Sequence, residues 1–154
     1  MSGAREQVRK DPEGIEFVQA SWDVPQKYHA DPLLLKFFEA LKEKQLLAAR
    51  ASGEKGRVIF PPTSFCEVTF SAVTELVPIG PKGRIVTFTI LPGTTPKLIV
   101  FVQLEGADTA SAGYLRGVPE GEMTSLSLVG APCTVVFADE PKGDWSDFWF
   151  ELID

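Results

Sequence analysis

Nucleophilic catalysis needs a thiol or hydroxyl with a base beside it. The chain has two cysteines, Cys66 and Cys133, and one histidine, His29. His29 lies in Tyr-His-Ala-Asp with no Cys or Ser motif near it, and it reads as an exposed or capping residue. Cys66 follows Phe65 in a strand-like context and reads as a buried thiol, with nothing beside it in sequence to lower its pKa. Cys133 alternates with core-type residues in Pro-Cys-Thr-Val-Val-Phe and is expected to be packed. Glu67, Glu75, Asp139 and Glu140 are carboxylates with no visible pairing for acid–base work. Gly80-Pro81-Lys82-Gly83 is too short and too proline-bound for a phosphate loop and reads as a turn. Lys55, Arg57, Lys82 and Arg84 are basic residues around the 52–70 stretch and the 84–91 strand, in an acidic protein. Solvated strand ends are their plainest reading, and contact with a ligand's phosphates is the sharper one.

The elements that must position these groups change character once along the chain. Residues 1–14 are charged, carry Pro12 and Gly14, and read as a loose tail. Residues 15–30 show neither helical nor strand periodicity; they read as an extended arm with Trp22 and Tyr28 as packed anchors. Asp31-Pro32 is a helix start, an N-cap acceptor followed by proline at the first helical position. The spacing of Leu34, Phe37, Phe38, Leu41 and Ala48 predicts a helix over 33–51, stopped by Ser52-Gly53. From Gly56 onward the pattern is β. Candidate strands lie at 57–60, 65–70, 72–79, 84–91, 97–105, 113–117, 125–129, 132–139 and 145–152, with 97–105 the most apolar and central. In 84–91, strict alternation puts Arg84, Val86, Phe88 and Ile90 on one face and Ile85, Thr87, Thr89 and Leu91 on the other. Trp145 and Trp149 would share one strand face and Phe148 and Phe150 the other, a strand covered on both sides. The fold class expected is mainly β, a small antiparallel barrel or sandwich behind an N-terminal helix.

At 154 residues the chain is long enough to bury a core without a metal or disulfide staple. A net charge of −6 argues against nucleic acid or an anionic membrane surface as partner, because phosphates need a basic footprint. There is no apolar run long enough for a membrane span, and the N-terminal residues lack the apolar core of a signal peptide. Two distant cysteines without framework spacing fit reduced thiols and a cytoplasmic location.

The order of features resembles a known family. An aromatic arm and an amphipathic helix are followed by Gly56-x-x-x-Phe60-Pro61-Pro62, then Gly80-Pro-Lys-Gly-Arg-Ile-Val-Thr-Phe-Thr, a strand after Pro96, and Val129-Gly-x-Pro-Cys-Thr-Val-Val-Phe. Over about residues 20–140 this is similar to the acyl-CoA-associated proteins called domain of unknown function 35, DUF35. Phe-Pro-Pro and the Gly-Arg-Ile-Val-Thr-Phe-Thr strand carry the likeness as a pair. The resemblance implies an arm and helix over 1–51, a rubredoxin-like zinc ribbon over 52–79 and an OB-fold over 80–154. It implies a non-catalytic subunit that binds a thiolase-type catalytic chain in a hetero-oligomer and helps form its acyl-CoA site. Phe37, Phe38, Phe60, Pro61, Pro62, Phe65 and Trp149 are then the expected partner interface. Arg57, Lys82 and Arg84 are the expected contacts of a coenzyme A thioester. A stand-alone acyl-CoA-binding protein, or a hydratase or thioesterase, is the alternative, and an OB-fold for single-stranded nucleic acid is the third reading.

The ribbon departs from the pattern. The four thiolate slots hold Ser52, Lys55, Cys66 and Thr69, so no metal and no other cofactor is expected. Structural zinc contributes on the order of 10–16 kcal/mol to small fingers, so other forces must hold this segment. Val58, Ile59, Phe60, Phe65, Val68 and Phe70 are the apolar residues available for that, worth roughly 9–18 kcal/mol if all were fully buried.

Overall fold

The computed structural model describes residues 7–19, 24–27, 29–53 and 56–153. Trp22 and Tyr28 of the expected arm, and Lys55 of the ribbon, lie outside the described residues. The chain opens with an antiparallel hairpin, β1 (Gln7–Lys10) and β2 (Glu16–Gln19), where a loose tail and an arm were expected. Asp11-Pro12-Glu13-Gly14 makes the turn: Asp11 Oδ1 accepts from the backbone N–H of Glu13 (3.0 Å) and Ile15 (2.9 Å).

Helix α1 spans Pro32–Lys42, capped by Asp31 Oδ1, which accepts from Leu33 N–H at 2.8 Å. It does not reach Ala51. Lys44 takes a positive φ of 55°, and the chain turns into β3 (Leu47–Ala51). Ala48, Ala49 and Ala51 are helix formers by propensity, but here they lie buried in the middle strand of a sheet. Pairing on both edges outweighs a preference worth a few tenths of a kcal/mol per residue. β3 pairs with β4 (Val58–Ile59) on one edge and β5 (Val73–Pro78) on the other, both antiparallel. The expected strand over 65–70 is instead a turn at residues 67–69, closed by a single bridge between Phe65 and Ala72.

The remaining strands are β6 (Lys82–Leu91), β7 (Lys97–Leu104), β8 (Ala110–Arg116), β9 (Pro132–Phe137) and β10 (Phe148–Leu152). They close into a barrel in the order β10-β8-β7-β6-β9. All pairs are antiparallel except β10 with β8, which is parallel. A five-stranded barrel with this order is an OB-fold. The connection between β8 and β9 carries two 3-10 turns, Glu120–Glu122 and Leu126–Leu128, where a strand over 125–129 was expected. Trp145–Asp147 is likewise a 3-10 turn rather than the start of the last strand.

Leu98, Val100, Val102 and Leu104 of β7 fill the barrel, facing Ile85, Leu115, Cys133, Val135, Phe148 and Phe150. The register of β6 against β7 shifts between Ile85 and Thr87. This bulge puts Ile85, Phe88 and Ile90 on the core side together, so strict alternation assigns Ile85 and Phe88 to opposite faces when they share one. No helix among the described residues is long and apolar enough to cross a membrane.

Candidate functional site

The three-stranded sheet and the segment that follows β4 form a ribbon held by polar clamps and by Phe37. The outer edge of β4 would leave its backbone groups open. Asp108 and Thr109, in the loop after β7, close it. Val58 N–H donates to Asp108 Oδ2 (2.8 Å) and Val58 C=O accepts from Asp108 N–H (2.8 Å). The Thr109 hydroxyl accepts from Phe60 N–H and donates to Phe60 C=O, both at 2.8 Å. On the helix side, the carboxylate of Asp31 also accepts from Ser64 N–H (2.9 Å) and from the Ser64 hydroxyl (2.5 Å). Burial would raise the Asp31 pKa, but the bonds from Ser64 and from the helix N-terminus outweigh it and hold the carboxyl below its ordinary value. At Gly56 a side chain has no room: a Cβ would stand 2.3 Å from Ala51 C=O, beside the Ala51 N–H to Arg57 C=O bond of 2.8 Å.

Beyond Ser64 the chain makes a tight knuckle. Phe70 N–H reaches Cys66 C=O at 2.7 Å, and Phe70 takes a φ of 55°. The Cys66 thiol is fully buried among Leu33, Ala49, Ala51 and Val73. The Thr69 hydroxyl, then the backbone N–H groups of Thr69 and Val68, point at its sulfur and lower its pKa. That corrects the expectation that nothing nearby acts on this thiol; the donors come from its own turn. Cys133, packed in the barrel, is pushed up to about 11 by burial alone and is inert.

Zinc does not fit these residues. The Thr69 hydroxyl is hydrogen-bonded to the Ser71 hydroxyl at 2.7 Å, and Ser52 points its hydroxyl to Ala72 C=O at 3.5 Å. No three of His, Cys, Asp and Glu converge among the described residues. The apolar replacement is also smaller than expected. Val58 and Phe60 are buried and Ile59 is partly so, but Phe65, Val68 and Phe70 are 56%, 59% and 84% exposed. Their side chains therefore add little to the packing; the polar clamps and the Phe37 cluster hold the segment.

The expected interface residues divide. Phe37 and Phe60 are buried against each other with ring centroids 5.6 Å apart, and Pro62 is buried as well. Phe37 also meets Phe148 (6.5 Å) and Trp145 (5.5 Å), so one helix residue joins ribbon and barrel. Phe38 is partly buried on Trp145, at 5.2 Å. Trp149 does not share a face with Trp145; it lies on β10 with Arg116 stacked 3.9 Å from its ring centroid. Phe60, Pro61 and Phe65 line one groove of about 230 Å³ with Thr109 and Glu67. Phe65 and its knuckle neighbours Val68 and Phe70 are the apolar groups the fold leaves facing solvent there. Val68 and Phe70, expected to pack, face solvent instead, in a knuckle where Phe70 takes a positive φ.

Of the three cations, Lys82 and Arg84 share a cavity of about 360 Å³ with Gln103, Glu105 and Ile153 at the rim of the barrel. Arg84 Nη1 donates to Gly130 C=O at 3.0 Å. Arg57 is not among the residues lining that cavity; its charge acts on Cys66.

No family model matches the chain, and no curated protein does. Solved structures do. A protein of unknown function from the DUF35 family of Sulfolobus solfataricus superposes with a TM-score of 0.59 at 18% identity, covering 79% of this chain and 86% of that one. A chain of the Ltp2-ChsH2(DUF35) aldolase gives a TM-score of 0.59 at 18% identity, covering 82% of this chain and 98% of that one. At this identity the likeness speaks for architecture alone: the chain has the fold of the solved DUF35 structures.

Proposed function

We propose that the chain is a DUF35-family subunit without catalytic chemistry of its own, which docks on a thiolase-type catalytic chain and helps form its acyl-CoA site. The observation that carries this is the knuckle. Phe65, Val68 and Phe70 stand exposed within six residues of one knuckle, on a ribbon clamped at Asp31 and Asp108, and apolar side chains gathered in water in this way suit protein docking. The structural likeness to a DUF35 chain from a complex named as an aldolase, Ltp2-ChsH2, supports a hetero-oligomer with a catalytic partner. The thiolase type and the acyl-CoA ligand rest on the sequence resemblance. Lys82 and Arg84, gathered at one cavity, are suited to the phosphates of coenzyme A.

The test is capture from the native cell extract with tagged chain. A thiolase-like chain is expected to come down with the wild type. The double variant Phe65→Ser, Phe70→Ser is expected to hold it at least about tenfold more weakly, with its melting temperature unchanged, because both side chains are already in water. Recovery of the chain alone, or equal capture by the variant, would remove the reading. Turnover of acyl-CoA by the purified chain would replace it with an enzyme.

A further inference from the structure

A second cavity, of about 290 Å³, opens where β7 begins and β8 ends. Val118 and Met123, both partly buried, supply its apolar floor, while Leu98 and Leu115 are buried in the barrel core beneath them. Its charged lining residues are Lys97 and Arg116, and none of its lining residues is acidic. Leu98 pairs with Leu115 in the antiparallel ladder, so Lys97 and Arg116 follow as cross-strand neighbours on the outer face. Like charges opposite each other on adjacent strands repel.

Neither cation takes part in an ion pair among the described residues. Each rests on a ring instead. Lys97 Nζ lies 5.5 Å from the Tyr114 ring centroid, and the Arg116 guanidinium lies 3.9 Å from that of Trp149. Glu151, paired in register with Arg116, accepts from Trp149 Nε1–H at 2.8 Å through Oε1. Both cations line one cavity with Val118 and Met123, in a chain of net charge −6.

We propose that this cavity binds a small organic anion, with its carboxylate or phosphate at Lys97 and Arg116 and its apolar body on Val118 and Met123. The anion removes the repulsion between the two cations, and the floor supplies the hydrophobic contact. At this volume the site takes a ligand near the small end of the usual range. The proposal stands apart from docking at the knuckle and from the cavity of Lys82 and Arg84.

Titration of the full chain with octanoate, octyl phosphate, octanamide and acetate, followed by backbone amide shifts, tests it. Octanoate or octyl phosphate is expected to bind, with shifts confined to β7, β8 and the 117–123 loop; a preference between them identifies the head group. Octanamide, lacking charge, and acetate, lacking the body, are expected to bind at least about tenfold more weakly. Lys97→Gln and Arg116→Gln, both at exposed positions, are expected to weaken octanoate by about fivefold to tenfold each without changing the fold. The idea is overturned if wild-type chain binds octanoate and octanamide alike, if neither anionic amphiphile binds at millimolar concentration, if the double variant binds as wild type, or if the shifts map elsewhere. An oligonucleotide that competes for the same face would overturn it too.

Discussion

Asp31 and Asp147 each do with a carboxylate what a zinc ion or a longer helix would do elsewhere. Asp31 caps α1 and, with the same oxygens, takes the N–H and hydroxyl of Ser64. Asp147, buried, accepts from the backbone N–H of Lys142 (2.8 Å), Gly143 (2.5 Å) and Asp144 (3.0 Å). Burial opposes ionisation of Asp147, but these bonds and the nearby Lys142 charge outweigh it and lower its pKa. A carboxyl with a lowered folded pKa stabilises fully above its unfolded value, about 3.9, and loses that contribution as pH falls through the folded value. Asp147→Ala is therefore expected to cost about 2–3 kcal/mol at pH 7, leaving buried N–H groups unpaired. Urea unfolding at steps of pH should show wild type and variant converging below about pH 4; a constant gap across that window would contradict the assignment. The capping role of Asp31 is legible in Asp-Pro followed by an apolar stripe. Its bond to Ser64, 33 residues away, has no local signature. The capping box of Asp144 and Asp147 is written in the sequence as Asp-x-x-Asp, yet the aromatic run around it reads first as a strand.

At the scale of elements, one helix residue ties three parts together. Phe37 is fully buried and touches Phe60 of the ribbon, Trp145 of the 3-10 turn and Phe148 of the barrel. Its truncation leaves a void bordered by elements that cannot all close on it. Phe37→Ala should cost about 3–5 kcal/mol in urea unfolding, and Phe37→Leu clearly less. A cost below about 1 kcal/mol for the alanine would mean the cluster is loosely packed. The helix, its start and the central place of β7 are legible because they rest on strong periodicity and a cap. The helix end is not, because Ala48, Ala49 and Ala51 are helix formers recruited into a sheet by their pairing partners. Nor are the faces of β6, because a bulge between Ile85 and Thr87 breaks the period of two on which such reading depends.

At the scale of the whole molecule, the question is whether ribbon and barrel hold together as one unit. The sequence brings Lys82 and Arg84 within one turn and strand, so their meeting at one cavity is legible; Arg57 and the outward knuckle depend on contacts made at long range. Beside the Phe37 cluster, the two parts are linked at the outer edge of β4, where Asp108 and Thr109 satisfy backbone groups of Val58 and Phe60. With Asp108→Ala and Thr109→Val together, Val58 N–H and both backbone groups of Phe60 lose these partners, a loss of about 2–4 kcal/mol that falls on the ribbon rather than on the barrel. The wild type should therefore unfold in one transition, with amides of Ala51 and Cys66 protected by the same opening that exposes Val100 and Val102. In the double variant the ribbon amides should exchange faster by that free energy while the barrel amides keep their protection. Equal acceleration of both sets would mean that the ribbon draws its stability from the barrel core through Phe37, and that the β4 clamp only closes an edge.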